Sequence, residues 1–215
     1  MQFFIDTANI AEIREARALG VLDGVTTNPT LMAKQGGDWR AVAREICREV
    51  EGPVSLEAVG ETADELVSMG LELVGYGPNV VVKVPMTPEG IKAVRILKSQ
   101  GVDCNVTLVF SPMQALVAAK AGAAYVSPFV GRLDALSQDG MQLVEDIMTI
   151  YREYGLETKV IVASVRHPRH VTDAAIIGAH VATIPPAILK QLFEHPLTDA
   201  GLETFNKDWA ALNGN

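Results

Sequence analysis

Residues 79–84, Asn-Val-Val-Val-Lys-Val, run into Pro85. The block is β-branched, too short for a helix and apolar on successive positions, which is the pattern of a parallel strand covered on both faces by crossover helices. Seven more runs of the same kind flank it: 2–5 (QFFI), 24–27 (GVTT), 53–57 (PVSLE), 103–109 (DCNVTLV), 123–129 (AAYVSPF), 158–163 (TKVIVA) and 180–184 (HVATI). Helical spacing fills the gaps, as with Ile10, Ile13, Ala16 and Arg17, or Leu66, Met69 and Leu73, the latter preceded by a capping box at Thr62 and Glu65. Eight strand–helix units predict an α/β protein with a closed (β/α)8 TIM barrel. An open doubly wound sheet is the competing topology, but 215 residues over eight units leave roughly 27 per unit, near the lower limit for such barrels.

The remaining chain is read as helical. A helix near 187–193 follows the eighth strand, and 197–212, with Leu202, Phe205, Trp209 and Leu212 at helical spacing, exceeds what one unit needs. That tail either packs under its own barrel or reaches a neighbouring subunit. Without linkers or low-complexity segments, residues 1–215 read as one domain with an extra C-terminal helix.

Eighteen Lys and Arg against 26 Asp and Glu give a net charge of −8, which speaks against a nucleic-acid partner, since polyanion binding needs a basic surface. An anionic ligand must meet a local cation cluster. Two cysteines, Cys47 and Cys104, far apart in the chain, suit a reducing compartment rather than a disulfide framework or thiolate metal site. The start Met1-Gln-Phe-Phe-Ile-Asp6 lacks a basic region before an apolar stretch, and no run reaches the ~18 apolar residues of a membrane span. A cytoplasmic protein without a membrane partner is expected.

In a parallel barrel, chemistry gathers at the carboxyl ends of the strands. Asp6 closes the first run, Thr26, Thr27 and Asn28 the second and Glu57 the third; Lys83 lies late in the fourth, and Asn105 and Thr107 lie in the fifth. Phe129 and Arg132 follow the sixth, and Ser164 and Arg166 the seventh. Lys83 is the sharpest signal, an ammonium in an apolar strand. Its removal from water favours the uncharged amine, which can attack a carbonyl and form a Schiff base. The alternative is that Lys83 snorkels to solvent or pairs with Asp6 or Glu57 as a structural ion pair.

Asp6 and Glu57 are candidates for the proton transfers of such chemistry, although Asp6 could instead cap the helix that follows. Arg132, Ser164 and Arg166 form a candidate anion site, with a surface Arg132–Asp134 pair as the other reading. His167 and His170 have helical spacing but no evident third metal ligand. His180 is placed in a strand, and no dinucleotide fingerprint or P-loop is present. Asn105-Val-Thr107 matches a glycosylation sequon by coincidence, in a run expected to be buried.

Five blocks, Phe-Ile-Asp6-Thr-Ala-Asn, Gly24-Val-Thr-Thr-Asn28-Pro, Val82-Lys83-Val-Pro85, Ser127-Pro-Phe129-Val-Gly-Arg132-Leu-Asp134 and Ala163-Ser164-Val-Arg166, resemble in order those of the transaldolases, in the short branch that includes fructose-6-phosphate aldolase. The resemblance implies metal-independent class I chemistry with no cofactor, and Lys83 as the Schiff-base lysine for a sugar-phosphate substrate. It makes Asp6 the acid/base for the C4 hydroxyl, while Glu57 and Thr107 hold a proton-shuttling water. Asn28 and Asn105 would bind the dihydroxyacetone unit, with Arg132, Ser164 and Arg166 on the distal phosphate. Glu57 and Phe129 are the transaldolase choices where the aldolase type carries glutamine and tyrosine. The implied reaction transfers dihydroxyacetone from fructose 6-phosphate or sedoheptulose 7-phosphate to erythrose 4-phosphate or glyceraldehyde 3-phosphate. Release of free dihydroxyacetone and a noncatalytic sugar-phosphate-binding barrel are the alternatives. The same resemblance implies a homo-oligomer, a pentamer or decamer, with the 197–212 helix on a neighbour.

Overall fold

A computed structural model of the chain describes residues 1–212; the last three residues of the expected 1–215 domain lie outside them. Eight strands, β1 (Gln2–Asp6), β2 (Gly24–Thr26), β3 (Val54–Glu57), β4 (Val80–Pro85), β5 (Cys104–Val109), β6 (Tyr125–Pro128), β7 (Lys159–Val162) and β8 (Val181–Ile184), form a closed parallel barrel in chain order. Ile5 pairs with Ile184 where β8 meets β1. The helices are α1 (Ile10–Ala18), α2 (Pro29–Gln35), α3 (Trp39–Glu49), α4 (Ala63–Val74), α5 (Pro88–Ser99), α6 (Pro112–Ala121), α7 (Val130–Asp134), α8 (Gly140–Glu153), α9 (Pro168–Ile177), α10 (Pro186–Gln191) and α11 (Pro196–Leu212). This is the (β/α)8 barrel with an extra C-terminal helix.

Strand-to-helix passages are built from a repeated local device. Asn28, Thr87 and Ser111 each accept a backbone N–H of the helix they precede, and each is followed by Pro at the first helical position. The side chain satisfies an orphan donor, and proline sits where no N–H is needed. Thr62 and Glu65 complete the capping box ahead of α4. Two insertions depart from one helix per strand: α2 and α3 both lie between β2 and β3, and the short α7 precedes α8 after β6. His180 stands just before β8, not inside it; its Nδ1 accepts from Val160 N at 3.1 Å, which fixes the entrance to the strand.

The barrel interior follows the two-residue period of its strands. Phe4, Val81, Tyr125, Ile161 and Val181 pack together as an apolar floor, separate from the core between strands and helices. A Cβ on Gly24 would stand 2.6 Å from the Phe4 ring, so glycine makes room for that floor. Two positions further along the same strands come Asp6, Lys83, Ser127, Ala163 and Thr183. Alternation therefore delivers a polar layer directly above the apolar one.

Candidate active site

Lys83 reaches into that polar layer. Its Nζ donates to the Thr27 carbonyl at 2.9 Å and lies 3.0 Å from Glu57 Oε2. Glu57 and Lys83 are direct partners in the β3–β4 register, which brings the two side chains together without a loop. Of the two sequence readings of this residue, a lone desolvated amine and an ion pair with Asp6 or Glu57, the structure shows an ion pair, to Glu57. Lys83 does not snorkel to solvent; it is 4% exposed.

Asp6 occupies the neighbouring wall. Thr26 Oγ1 donates to Asp6 Oδ1 at 2.8 Å and stands 2.6 Å from Thr183 Oγ1. Because the Thr26 proton is committed to Asp6, Thr183 must be the donor to Thr26, and the two hydroxyls form a relay that ends on the carboxylate. Burial pushes the Asp6 carboxyl above its ordinary range; the Thr26 bond and the charges of Lys83 and Arg166 oppose this, while Glu57 adds to it. The helix-cap alternative for Asp6 fails, since Asn9 caps α1 through Ala11 N and Glu12 N.

Opposite, Asn105 Nδ2 donates to Ser55 Oγ at 3.1 Å, and Asn105 Oδ1 accepts from Ser127 at 2.8 Å, fixing the orientation of a fully buried amide. Thr107, two residues on, has a buried hydroxyl that bonds no protein group among the described residues, as does Ser164. Asn28 spends its Oδ1 on Leu31 N, which leaves its amide N–H groups as donors. Burial of Asn105 and Thr107 puts the sequon out of reach of modification.

Asp6, Asn28, Lys83, Phe129, Arg132, Ser164 and Arg166 line one cavity of about 140 Å³ at the carboxyl end of the barrel. Arg132 and Arg166 have no carboxylate within ion-pair distance among the described residues. The surface pair of Arg132 with Asp134 does not form: Asp134 instead accepts from Gly140 N and contacts His170, while the Arg132 guanidinium lies 5.0 Å from the Phe129 ring centre. Two unpaired guanidiniums and an unsatisfied buried hydroxyl give this end of the cavity the charge and the free donor that an anion would need. A larger apolar cavity of about 360 Å³ between α2, α3 and α4 adjoins it at Asn28, with Glu57 the only charged side chain on its wall.

Metal ligation has one geometric candidate among the described residues, Asp134 with His167 and His170, whose ligand atoms lie within 4.8 Å of one another. The fold thus supplies the third group the sequence lacked. Both ring nitrogens of His170 already contact protein groups, Arg166 N and Asp134 Oδ2, and the His167 ring stacks on it at 3.8 Å; the cluster fits a hydrogen-bonded support better than an open coordination site. Burial pushes the Cys47 thiol up to about 11 and Cys104 up to about 12, which leaves neither as a ready nucleophile.

Sequence reasoning chose the ends of the runs and missed the polar groups that support them. Ser55, Ser127 and Thr183 were absent from the candidate set, and each stands on an interior-facing position. The available signal was parity: Ser55 lies two before Glu57, and Ser127 and Thr183 two after floor residues Tyr125 and Val181.

Comparison with known proteins places relatives beside the chain over nearly its whole length. A family model described as transaldolase/fructose-6-phosphate aldolase matches residues 3–215. A probable transaldolase of Maridesulfovibrio salexigens is 61% identical over 212 residues, covering 99% of each chain. One of Aquifex aeolicus is 59% identical, over 97% of this chain and 96% of its own, and one of Thermoanaerobacter is 54% identical over 97% of each. With matches of this extent, the chain belongs to the transaldolase/fructose-6-phosphate aldolase family.

Proposed function

We propose that the protein is a transaldolase that carries dihydroxyacetone from a ketose phosphate to an aldose phosphate on Lys83. One observation carries the reading: a buried lysine paired to one carboxylate, with a second carboxylate beside it, at the closed end of a cavity whose mouth holds two unpaired arginines.

The steps follow from those positions. A proton passes from Lys83 Nζ to Glu57 Oε2 across 3.0 Å, and the freed amine attacks C2 of the ketose. Loss of water from the carbinolamine leaves a protonated imine. Asp6 takes the proton from the C4 hydroxyl as the C3–C4 bond breaks, and the bonding pair moves into the imine, giving a neutral enamine and an aldose phosphate. An acceptor aldehyde then reverses these steps. Asp6 suits both directions, because a carboxyl raised by burial holds the proton it must later return. Asn28 and the Ser55–Asn105–Ser127 network would bind the three-carbon unit, Thr107 would hold a shuttling water with Glu57, and Arg132, Ser164 and Arg166 would hold the distal phosphate. The Phe129 ring, which packs edge-on against Phe110, offers no hydroxyl to assist release of the enamine by water, so transfer is favoured over free aldolase activity.

The protein would work in the cytoplasm, in keeping with two free buried thiols; no helix among the described residues is long and apolar enough to cross a membrane. It would act as a homo-oligomer, a pentamer or decamer. The support is α11, which has no buried residue and exposes Leu197, Leu202 and Phe205, an apolar surface suited to a neighbouring subunit. Borohydride reduction with fructose 6-phosphate tests the chemistry: a three-carbon adduct on the Lys83 peptide is expected, and an unmodified peptide overturns the proposal. Product measured with and without erythrose 4-phosphate separates transfer from release.

A further inference from the structure

The pair of buried His170 with exposed Asp134 lies outside the cavity, and the mechanism above makes no use of it. His170 is 3% exposed, on the first turn of α9. Its Nδ1 accepts from Arg166 N at 3.2 Å, and its Nε2 lies 2.7 Å from Asp134 Oδ2. Since Arg166 N–H can only donate, Nδ1 must carry the lone pair, and a neutral ring then places its hydrogen on Nε2, facing the carboxylate. Asp134 cannot turn away, because its Oδ1 accepts from Gly140 N at the start of α8.

We propose that His170 is a positioning residue for the phosphate end of the site, its Nδ1 fixing the backbone of Arg166 and its Nε2–H occupying the carboxylate of Asp134. The inference rests on the transaldolase reading for the identity of the phosphate, and it adds a residue to that site. Three observations converge on it. Ser164, two residues before Arg166, sits at φ 59°, a left-handed conformation that costs a serine about 1 kcal/mol and persists only where neighbours hold it. Val130 N and Gly131 N hold one side of this turn by bonding to the carbonyls of Ala163 and Ser164; the His170 bond holds the other. Asp134 ends α7, the helix that carries Arg132, so one side-chain pair joins the supports of both guanidiniums.

Two isosteric substitutions separate the contacts. Asparagine places an acceptor where Nδ1 stands and abandons Asp134; glutamine places a donor where Nε2 stands and abandons Arg166 N. His170→Gln should raise KM for fructose 6-phosphate about tenfold, the cost of one lost hydrogen bond, while kcat and borohydride trapping of unphosphorylated dihydroxyacetone on Lys83 stay within about twofold of the parent. His170→Asn should keep KM within about threefold. The proposal is overturned if the glutamine variant keeps the parental KM, if the two variants rank the other way, or if either loses dihydroxyacetone trapping along with phosphate affinity, which would mark a general scaffold role. Should the parent itself fail to trap a ketose, the transaldolase reading falls separately, and the same ranking is then read from calorimetric binding of inorganic phosphate.

Discussion

Glu57 and Lys83 stand opposite each other across adjacent strands, and their side chains close to 3.0 Å inside the barrel. Each is the other's only carboxylate or ammonium partner among the described residues, so on the proposed chemistry the ion pair would also be the proton couple for imine formation. Glu57→Gln should slow borohydride-detected imine formation by about 10²–10⁴, the span of general acid–base catalysis. A pre-steady-state trapping series with dihydroxyacetone measures this. A variant that traps at the parental rate would show that the proton leaves Lys83 by another route.

Asp6→Asn should separate binding from cleavage. The amide cannot take the C4 proton, while Lys83 keeps its partner Glu57, so mass spectrometry after borohydride should find an adduct of the whole six-carbon ketose phosphate in place of a three-carbon unit. Detection of the three-carbon adduct at the parental rate would move the base elsewhere.

The pH profile of cleavage should report the Thr183–Thr26–Asp6 relay. Asp6 is raised by burial, so activity requiring its carboxylate is lost as pH falls through that raised value. The Thr26 hydroxyl acts in the lowering direction; removing it in Thr26→Val should move the acid limb to higher pH. Thr183→Val, which removes the donor behind Thr26, should give a smaller shift of the same sign. An unmoved limb in both would disconnect the relay from catalysis.

Gly131→Ala should damage the anion site. The added Cβ would stand 2.2 Å from the Ser164 carbonyl oxygen and 2.5 Å from Arg166 Cγ, so the turn carrying these two proposed phosphate-binding residues must shift. A rise in KM for phosphorylated substrates, with a stability loss of about 1–3 kcal/mol by denaturant titration, is expected; parental values for both would contradict the close approach.

Stability should fall on mild acidification through two histidines. His170 and His180 are each lowered below the ordinary imidazole range, first by burial and then by His167 and Lys159 respectively, with Asp134 and Asp173 acting the other way on His170. The unfolded chain therefore binds protons before the folded one does. The contribution is complete above about pH 6.5 and is lost as pH falls through the lowered folded values. Urea midpoints at pH 7.5 and 5.5 measure it, and His180→Asn should flatten the difference.

How much of this was legible beforehand depended on the range of the interaction. The eight strands were readable because a parallel strand is defined by a local apolar block, and their carboxyl ends were readable because barrel topology assigns them a common face. That reading put Asp6, Lys83, Arg132 and Arg166 on one face, where they do line a common cavity, and Glu57 beside Lys83. Which acid meets Lys83 depends on register between β3 and β4, set only by closure of the sheet. The relay through Thr183 joins residues at opposite ends of the chain, and the His170–Asp134 contact joins two helices across 36 residues of sequence; neither leaves a local pattern. The α2 and α3 insertion and the short α7 were missed because loop insertions obey no hydrophobic period.

The plug formed by Phe4, Val81, Tyr125, Ile161 and Val181 fills the barrel below Lys83, so substrates would approach the amine from the carboxyl ends of the strands. On the proposed chemistry the departing aldose must vacate the passage before the next aldehyde enters, which imposes an obligatory order on the half-reactions. Excess acceptor should then crowd out the donor at the unloaded lysine, and each substrate should inhibit competitively against the other.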